Sequence, residues 1–206
     1  MLNTTPKPEN PYDYSTRNGV REISWNYFHG LVKALVVAVA PWRPEIILPV
    51  GRGGYYPGSL MAHMLQVEIY PVRLSRRERD VVVRDTPQWL VLPPAAATGH
   101  RVLVVDEISS TGKTLTIVRE RLMAMGAGDI RSAVLYAHAR GAGAPDYIGL
   151  ITDELVLNPW DREIYHEDAF TFHPEYIEAL KDQGIEAGQD LLIPAPLLLA
   201  QKSSAA

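Results

Sequence analysis

Residues 104–114, VVDEISSTGKT, carry the side chains best suited to chemistry in this chain. Two acids, Asp106 and Glu107, end an apolar run, and a Gly-Lys-Thr triplet follows a few residues later. A P-loop for nucleoside triphosphates needs a glycine five residues before the glycine of that triplet, and this chain has Glu107 there. Because a carboxylate at that place would repel a triphosphate, the motif indicates a different phosphate ligand.

The turn after Asp106 can still bind a single phosphate group. A helix that begins near Thr111 would present unpaired backbone N–H groups and the positive end of its dipole to the turn. Asp106 and Glu107 would serve the same ligand as acceptors for a vicinal diol or for a bound Mg²⁺. The hydroxyl donors of the turn are Ser109, Ser110, Thr111 and Thr114. The motif therefore predicts a site for a ribose 5-phosphate, and the alternative is a capped strand-to-helix turn with two solvated acids.

A second loop with the composition of an anion site is GRGG at residues 51–54. It follows the apolar run at 45–50 and precedes a helical segment, so it belongs to the same carboxyl edge of a parallel sheet. Its glycines allow the backbone to approach an anion closely, and Arg52 can pair with phosphate oxygens in a bidentate manner. Two anion loops at one edge indicate one ligand with phosphate groups at both ends, and 5-phosphoribosyl-1-pyrophosphate (PRPP) fits that description.

The segment VLVVDEISSTGKTL resembles the PRPP-binding signature of type I phosphoribosyltransferases. The resemblance extends from ISW at 23–25, through PEIILPVGRGG at 44–54, to PDYIGLITDELVLNPWDRE at 145–163. That last stretch is similar to the tail of the xanthine-guanine and archaeal hypoxanthine-guanine enzymes. The resemblance implies a type I phosphoribosyltransferase-like fold, in which a mostly parallel central sheet is flanked by helices and carries a small hood.

The resemblance also implies a role for each group of residues around PRPP. In such enzymes the two acids engage the ribose hydroxyls with Mg²⁺ nearby, and a third acid lies close to the pyrophosphate-bound metal. The metal positions so implied are Asp106, Glu107 and Asp161. The 5-phosphate positions are Ser109, Ser110, Thr111, Gly112, Lys113 and Thr114. The pyrophosphate positions are Arg52, Gly53 and Gly54, and the Arg-Gly peptide of that loop is often cis.

Three positions depart from the family in the half of the site that would hold the base. The 6-oxopurine enzymes usually have an aspartate that acts as base at the position of Ser110, and a lysine that reads the 6-oxo group at the position of His138. Where they stack an aromatic ring on the base, this chain has Leu155, followed by Val156. His138 can donate to the base, take over proton transfer or simply pack at a strand end. The implied catalytic residues are Arg52, Ser110 and His138, and the changes predict poor use of 6-oxopurines.

We expect a Mg²⁺-dependent phosphoribosyltransferase that moves the phosphoribosyl group of PRPP to a purine-like or other nitrogen heterocyclic base. The alternative is a PRPP- or nucleotide-sensing protein that keeps the fold with weak or lost catalysis. Five arginines lie where the family has a mobile loop that closes over the site, although a solvated basic hairpin has the same composition. They are Arg73, Arg76, Arg77, Arg79 and Arg84.

Composition excludes several classes of protein. A net charge of −4 argues against a general nucleic-acid binder, which would carry a basic surface. The absence of cysteine excludes disulfides, thiolate metal sites and a cysteine nucleophile. No apolar run reaches the ~20 residues that a membrane span requires. We therefore expect a cytoplasmic protein that does not act at a membrane, and the apolar tail together with the family's habit indicates a homodimer or a higher homo-oligomer.

The elements that must position these residues alternate between helix and strand, which predicts an α/β fold. The predicted helices cover 25–40, 57–66, 111–125 and 173–184. The predicted strands cover 45–50, 67–74, 101–106, 131–139 and 153–158. Residues 1–20 are expected to form a flexible arm, 21–163 the phosphoribosyltransferase domain, and 164–206 a C-terminal extension with one helix and a proline-interrupted apolar run.

Overall fold

The computed structural model describes residues 14, 16–78, 81–84 and 86–188, in which four helices and thirteen strands are found. The helices are α1 (Trp25–Val39), α2 (Tyr55–Leu65), α3 (Lys113–Ala124) and α4 (Pro174–Lys181). The strands of the first half are β1 (Val20–Glu22), β2 (Ile46–Gly51), β3 (Glu68–Ile69), β4 (Val72–Ser75), β5 (Arg77–Glu78), β6 (Val81–Val82) and β7 (Gln88–Val91). Those of the second half are β8 (Arg101–Ser109), β9 (Asp129–Ala137), β10 (Tyr147–Ile151), β11 (Leu155–Leu157), β12 (Glu163–His166) and β13 (Ala169–Phe172).

The central sheet has the order β10-β9-β8-β2-β4-β7, with β3 also paired to β2. All its pairs are parallel except β4 with β7, so the prediction of a mostly parallel sheet is confirmed. Strands β2 and β8 lie side by side at its centre, with Ile46 opposite Val102 and Pro49 opposite Val105. The GRGG loop and the Asp106–Glu107 pair therefore lie at the same, carboxyl edge of the sheet.

Helices cover both faces of this sheet and bury two hydrophobic clusters. One cluster packs α1 and α2 against side chains such as Ile47, Leu103 and Leu135. The other packs α3 against the opposite side chains, including Leu48 and Val104. Successive residues of β2 and β8 thus point to opposite cores, as the pleat of a strand buried on both faces requires. Ser24 caps α1 by accepting a hydrogen bond from the backbone N–H of Tyr27 at 3.1 Å.

Several predicted elements differ from the structure. The predicted strand at 67–74 is split into β3 and β4 at Tyr70 and Pro71, because proline has no N–H to continue the ladder. The predicted strand at 153–158 is shorter and lies outside the central sheet, where β11 pairs in parallel with β1. One edge of the central sheet is instead β10, which was not predicted from the sequence. The hairpin of β12 and β13 was also not predicted.

Both ends of the chain, as far as they are described, pack on the domain. Arg17 is 8% exposed, which differs from the flexible arm expected for residues 1–20. A third cluster joins β1 and β11 to α4 through Leu155, Leu157 and Leu180. Residues 1–13, Ser15 and the apolar run at 190–200 lie outside the described residues. Within the described part, no helix has both the length and the apolar character needed to span a bilayer.

Candidate active site

A cavity of about 670 Å³ opens at the carboxyl edge of the central sheet. It brings together predicted residues from both anion loops and from the base-binding positions. Those that line it are Arg52, Gly53, Glu107, Ser110, His138, Leu155, Val156 and Asp161. The predicted residues that do not line it are Gly54, Asp106, Ser109, Thr111, Gly112, Lys113 and Thr114. The structure therefore joins the pyrophosphate and base positions in one space, with only Ser110 of the phosphate loop on its wall.

Three carboxyl groups lie in a desolvated part of this edge. Burial raises the pKa of Asp106 to about 7 and that of Asp161 to about 6. Burial also raises the pKa of Glu107 well above its ordinary value, and the charges of Asp161 and Asp106 raise it further. A cation or a set of hydroxyl donors would relieve this repulsion, because either favours the ionised form of a carboxyl group.

Glu107 is held in place by groups from two other elements. The side-chain amide of Asn158 donates to its Oε1, and the Oδ1 of Asn158 accepts from the hydroxyl of Tyr136 at 3.0 Å. The Oε2 of Glu107 lies next to Gly53, because a Cβ added to Gly53 would fall 1.7 Å from that oxygen. The absence of a side chain at Gly53 thus lets the GRGG loop close onto the acidic end of β8.

The GRGG loop has a cis peptide bond between Gly51 and Arg52. The resemblance implied a cis bond one residue later, between Arg52 and Gly53, so that expectation is wrong by one position. Arg52 is exposed and lines the cavity, which agrees with a guanidinium that meets a ligand from solvent.

Gly54 gives the first testable prediction, because it closes the loop against the backbone of both central strands. A Cβ added there would lie 2.5 Å from the carbonyl oxygens of Val50 and Val105. Gly54→Ala should therefore lower the free energy of unfolding by about 3 kcal/mol in urea titrations, at the upper end of the usual overpacking cost. Gly143→Ala is the matched control, since a Cβ there meets nothing within 4 Å. Equal stability of the two variants would contradict the packing described for Gly54.

The loop between β8 and α3 is tighter than the sequence indicates. Helix α3 begins at Lys113, two residues after the predicted start, and Gly112 before it has a φ of 78°, a left-handed conformation that favours glycine. The hydroxyl of Ser109 donates to the carbonyl of Gly141 at 2.9 Å, so this side chain ties the loop to the next strand's end. The expected hydroxyl donor at Ser109 is thus already used within the protein.

His138 directly follows β9 and is 3% exposed. Its Nδ1 lies 2.7 Å from the carbonyl oxygen of Thr152, and a carbonyl can only accept, so Nδ1 carries the proton. Burial is the main cause that lowers the pKa of His138, and the charges of Arg17 and Arg140 lower it further. The neutral ring therefore keeps Nε2 as an acceptor.

The cavity that His138 lines also has apolar and aromatic residues on its wall. Leu155 and Val156 are 3% and 7% exposed and belong to different hydrophobic clusters, Leu155 with α4 and Val156 with α1 and α2. Trp160 stacks on Tyr56 with ring centroids 4.7 Å apart and an interplanar angle of 18°. One face of the Trp160 ring is thus covered by Tyr56.

The sequence analysis missed site residues from both ends of the chain. Arg17 and Tyr14 line the cavity from the segment before β1, and Glu175 and Tyr176 line it from the start of α4. The hydroxyl of Tyr14 donates to Glu175 at 2.9 Å, and that of Tyr176 donates to Asp161 at 3.0 Å. No local pattern marks these residues, because only the packing of the two chain ends brings them to the site.

The predicted basic loop is partly present at the site. Arg73 and Ser75 of β4 line the cavity, and β5 and β6 form an antiparallel hairpin after them. Arg79 lies outside the described residues. The loop therefore starts at the cavity, and its closure over a ligand stays a prediction.

Comparison with known proteins agrees with this geometry. The model of the family described as the phosphoribosyl transferase domain matches residues 14–167. A xanthine-guanine phosphoribosyltransferase of Nitratidesulfovibrio vulgaris is 27% identical over 152 residues, which cover 70% of this chain and 86% of that protein. The enzyme of the same name from Idiomarina loihiensis is 26% identical over 164 residues, covering 78% of this chain and 92% of that protein.

A solved structure has the same arrangement of sheet and helices. The crystal structure of a purine phosphoribosyltransferase from Pyrococcus horikoshii superposes with a TM-score of 0.63 at 26% identity, covering 69% of this chain and 94% of that one. The matched family, the parallel sheet and the two anion loops at its carboxyl edge lead to one conclusion. This chain belongs to the phosphoribosyltransferase family.

Proposed function

We propose that this protein is a Mg²⁺-dependent phosphoribosyltransferase that transfers the phosphoribosyl group of PRPP to a purine-like or other nitrogen heterocyclic base and releases pyrophosphate. The observation that carries the proposal is the single cavity shared by Arg52, Glu107 and the base-side residues His138 and Leu155. A ligand in this space touches an anion loop at one end and an apolar wall at the other. The names of the matched relatives support a purine as the base.

The residues present fit a magnesium ion that is held jointly with PRPP. In the described ranges no three acidic or histidine side chains are close enough to form a complete metal site by themselves. Magnesium usually takes only one or two carboxylates and completes its shell with phosphate oxygens and water. Glu107 with its raised pKa and the unpartnered Oδ1 of Asp161 are suitable ligands, with Asp106 nearby. Once bound, the ion would neutralise charge on the leaving pyrophosphate.

The protein's own groups would do the rest of the work in displacing pyrophosphate from C1 of the ribose. Asp106 and Glu107 would hold the ribose hydroxyls and fix C1 in line with the attacking nitrogen, which makes the reaction effectively unimolecular. Arg52 would stabilise the negative charge that grows on pyrophosphate. Ser110 offers no carboxylate to take the proton of the base, and His138, which lines the same cavity, would orient the base as a hydrogen-bond acceptor.

Tyr176 gives a prediction about Asp161. Tyr176→Phe removes the hydroxyl that donates to Oδ2 of Asp161, so the carboxylate loses its orientation. Binding of magnesium pyrophosphate, measured by calorimetry, should weaken about tenfold, as expected for loss of a partner that orients a metal ligand. Tyr165→Phe is the matched control because Tyr165 is 64% exposed. If Tyr176→Phe binds magnesium pyrophosphate as tightly as the control, Asp161 does not hold the metal.

We also propose a homo-oligomer that works in the cytoplasm without a nucleic-acid or membrane partner. Strand β7 and the residue after it expose Leu90, Val91 and Leu92 by 52%, 46% and 52%, an apolar edge that a second copy can cover. Analytical ultracentrifugation should show a dimer or a larger species. A monomer at micromolar concentration would contradict this part of the proposal.

A pyrophosphate-release screen tests the proposed activity. The protein is incubated with PRPP, Mg²⁺ and one base at a time, taken from hypoxanthine, guanine, xanthine, adenine and a set of non-purine heterocycles. We expect release above the base-free rate with at least one of them. If release never exceeds the base-free rate while PRPP still binds, the protein is a PRPP sensor on this fold.

A further inference from the structure

His138 faces the cavity with a fixed orientation and a fixed tautomer. Its Nδ1–H donates to the carbonyl of Thr152, and the backbone N–H of His138 donates to the carbonyl of Ser109 at 3.1 Å. The residue is thus held both through its ring and through its main chain. Because the ring cannot turn without breaking the bond to Thr152, Nε2 is the nitrogen left for a ligand.

The surroundings keep the ring of His138 neutral. It is buried, and the positive charges of Arg17 and Arg140 oppose a second proton. Asp153 acts in the opposite direction, since its Oδ1 lies 3.7 Å from Nδ1, yet it is on the side of the nitrogen that is already protonated. The group that the site offers here is therefore an acceptor, whereas a lysine at this position would be a charged donor.

We propose that the base presents a hydrogen-bond donor to Nε2 of His138, and that the substrate class is an amino-substituted heterocycle of the 6-aminopurine type. This rests on the proposed function, because it specifies the ligand of the same site. An oxo group at that place would set its lone pairs against those of Nε2 and leave both acceptors unpaired in a desolvated wall, which is costly. Leu155 and Val156, which line the same cavity, offer no side-chain donor that would compensate.

Equilibrium binding of two nucleotides tests this choice without relying on catalysis. AMP and IMP differ at position 6 of the purine, which carries an amino donor in AMP and an oxo acceptor in IMP. Calorimetry on the full chain should give a dissociation constant about tenfold lower for AMP than for IMP, the discrimination typical of one buried polar group. His138→Lys should reverse the order, and His63→Lys, the same change on an exposed histidine of α2, should leave it unchanged.

Each outcome decides the proposal. Tighter binding of IMP, equal binding of the two, or binding of neither would overturn it. An AMP preference that survives in His138→Lys would also overturn it, because another residue would then read the base. Arg17, which also lines the cavity, is the alternative residue that could contact the base. If IMP binds more tightly than AMP and this preference is lost in Arg17→Gln, the guanidinium of Arg17 donates to an oxo group of the base. Failure of the proposed function would give a different result: the screen would show no pyrophosphate release with any base, while calorimetry would still show the preference for AMP.

Discussion

Replacement of Asp106 by asparagine together with Glu107 by glutamine is expected to abolish Mg²⁺-dependent binding of PRPP. Both acids lie in β8 near its carboxyl end, and Glu107 contacts the GRGG loop directly at Gly53. The double change removes the charged acceptors for the ribose hydroxyls and the support for the metal at once. Charge-assisted hydrogen bonds are worth about 1.5–3 kcal/mol each, so the loss of several of them should weaken binding at least a thousandfold.

The control for this variant removes two negative charges from exposed positions away from the cavity. Glu120→Gln with Asp182→Asn changes two exposed acids and should bind PRPP as the unmodified protein does. Thermal unfolding should show that the Asp106 and Glu107 variant remains folded, because the amides remove charge from a buried place. Tight, Mg²⁺-dependent PRPP binding in a folded double variant would show that this loop is not the ribose site.

Weak use of 6-oxopurines is the second expected result. A charged donor at position 138 would be worth roughly 1.5–3 kcal/mol to a 6-oxo group, and an aromatic stack at position 155 about 1–3 kcal/mol. This chain has a neutral acceptor at His138 and an aliphatic side chain at Leu155. Hypoxanthine and guanine should therefore be used at least about a hundredfold less efficiently than a site with both groups would allow.

Restoring the family pattern tests this result directly. Ser110→Asp with His138→Lys and Leu155→Trp should raise kcat/KM for hypoxanthine and guanine, measured by pyrophosphate release. Trp160 is already stacked on Tyr56, so it does not take the place of the tryptophan introduced at position 155. The idea is wrong if the unmodified protein uses either base with a kcat/KM of about 10⁴ M⁻¹s⁻¹ or better, which is within the ordinary range of enzymes.

The half of the site that binds phosphate groups could be predicted from the sequence because its signal is local. An apolar strand, a turn rich in glycine or hydroxyl groups and a following helix are contiguous in the chain, at residues 45–66 and again at 101–124. The predicted strand at 101–106 ends too early, because β8 extends to Ser109. The acids at 106 and 107 interrupt its apolar pattern, yet pairing with β9 continues to Ser109 opposite Ala137.

The rest of the site could not be read from local patterns, because it depends on contacts between distant segments. Tyr176 reaches Asp161 only because α4 packs on β11 through Leu180 and Leu155. Arg17 reaches the cavity because β1 pairs with β11, which sets Val20 opposite Leu155. The role of His138 as an acceptor depends on one carbonyl, that of Thr152, fourteen residues away. The positions of these residues in the sequence do not indicate these contacts.

The most direct test of the account is to identify both products of one reaction. The protein would be incubated with PRPP, Mg²⁺ and an excess of base, and followed by ³¹P NMR and mass spectrometry. The account predicts pyrophosphate and a nucleoside 5′-monophosphate in equal amounts, the latter with the mass expected for the phosphoribosyl derivative of the added base. Consumption of PRPP to ribose 5-phosphate and pyrophosphate alone, or no consumption with any base, would contradict it.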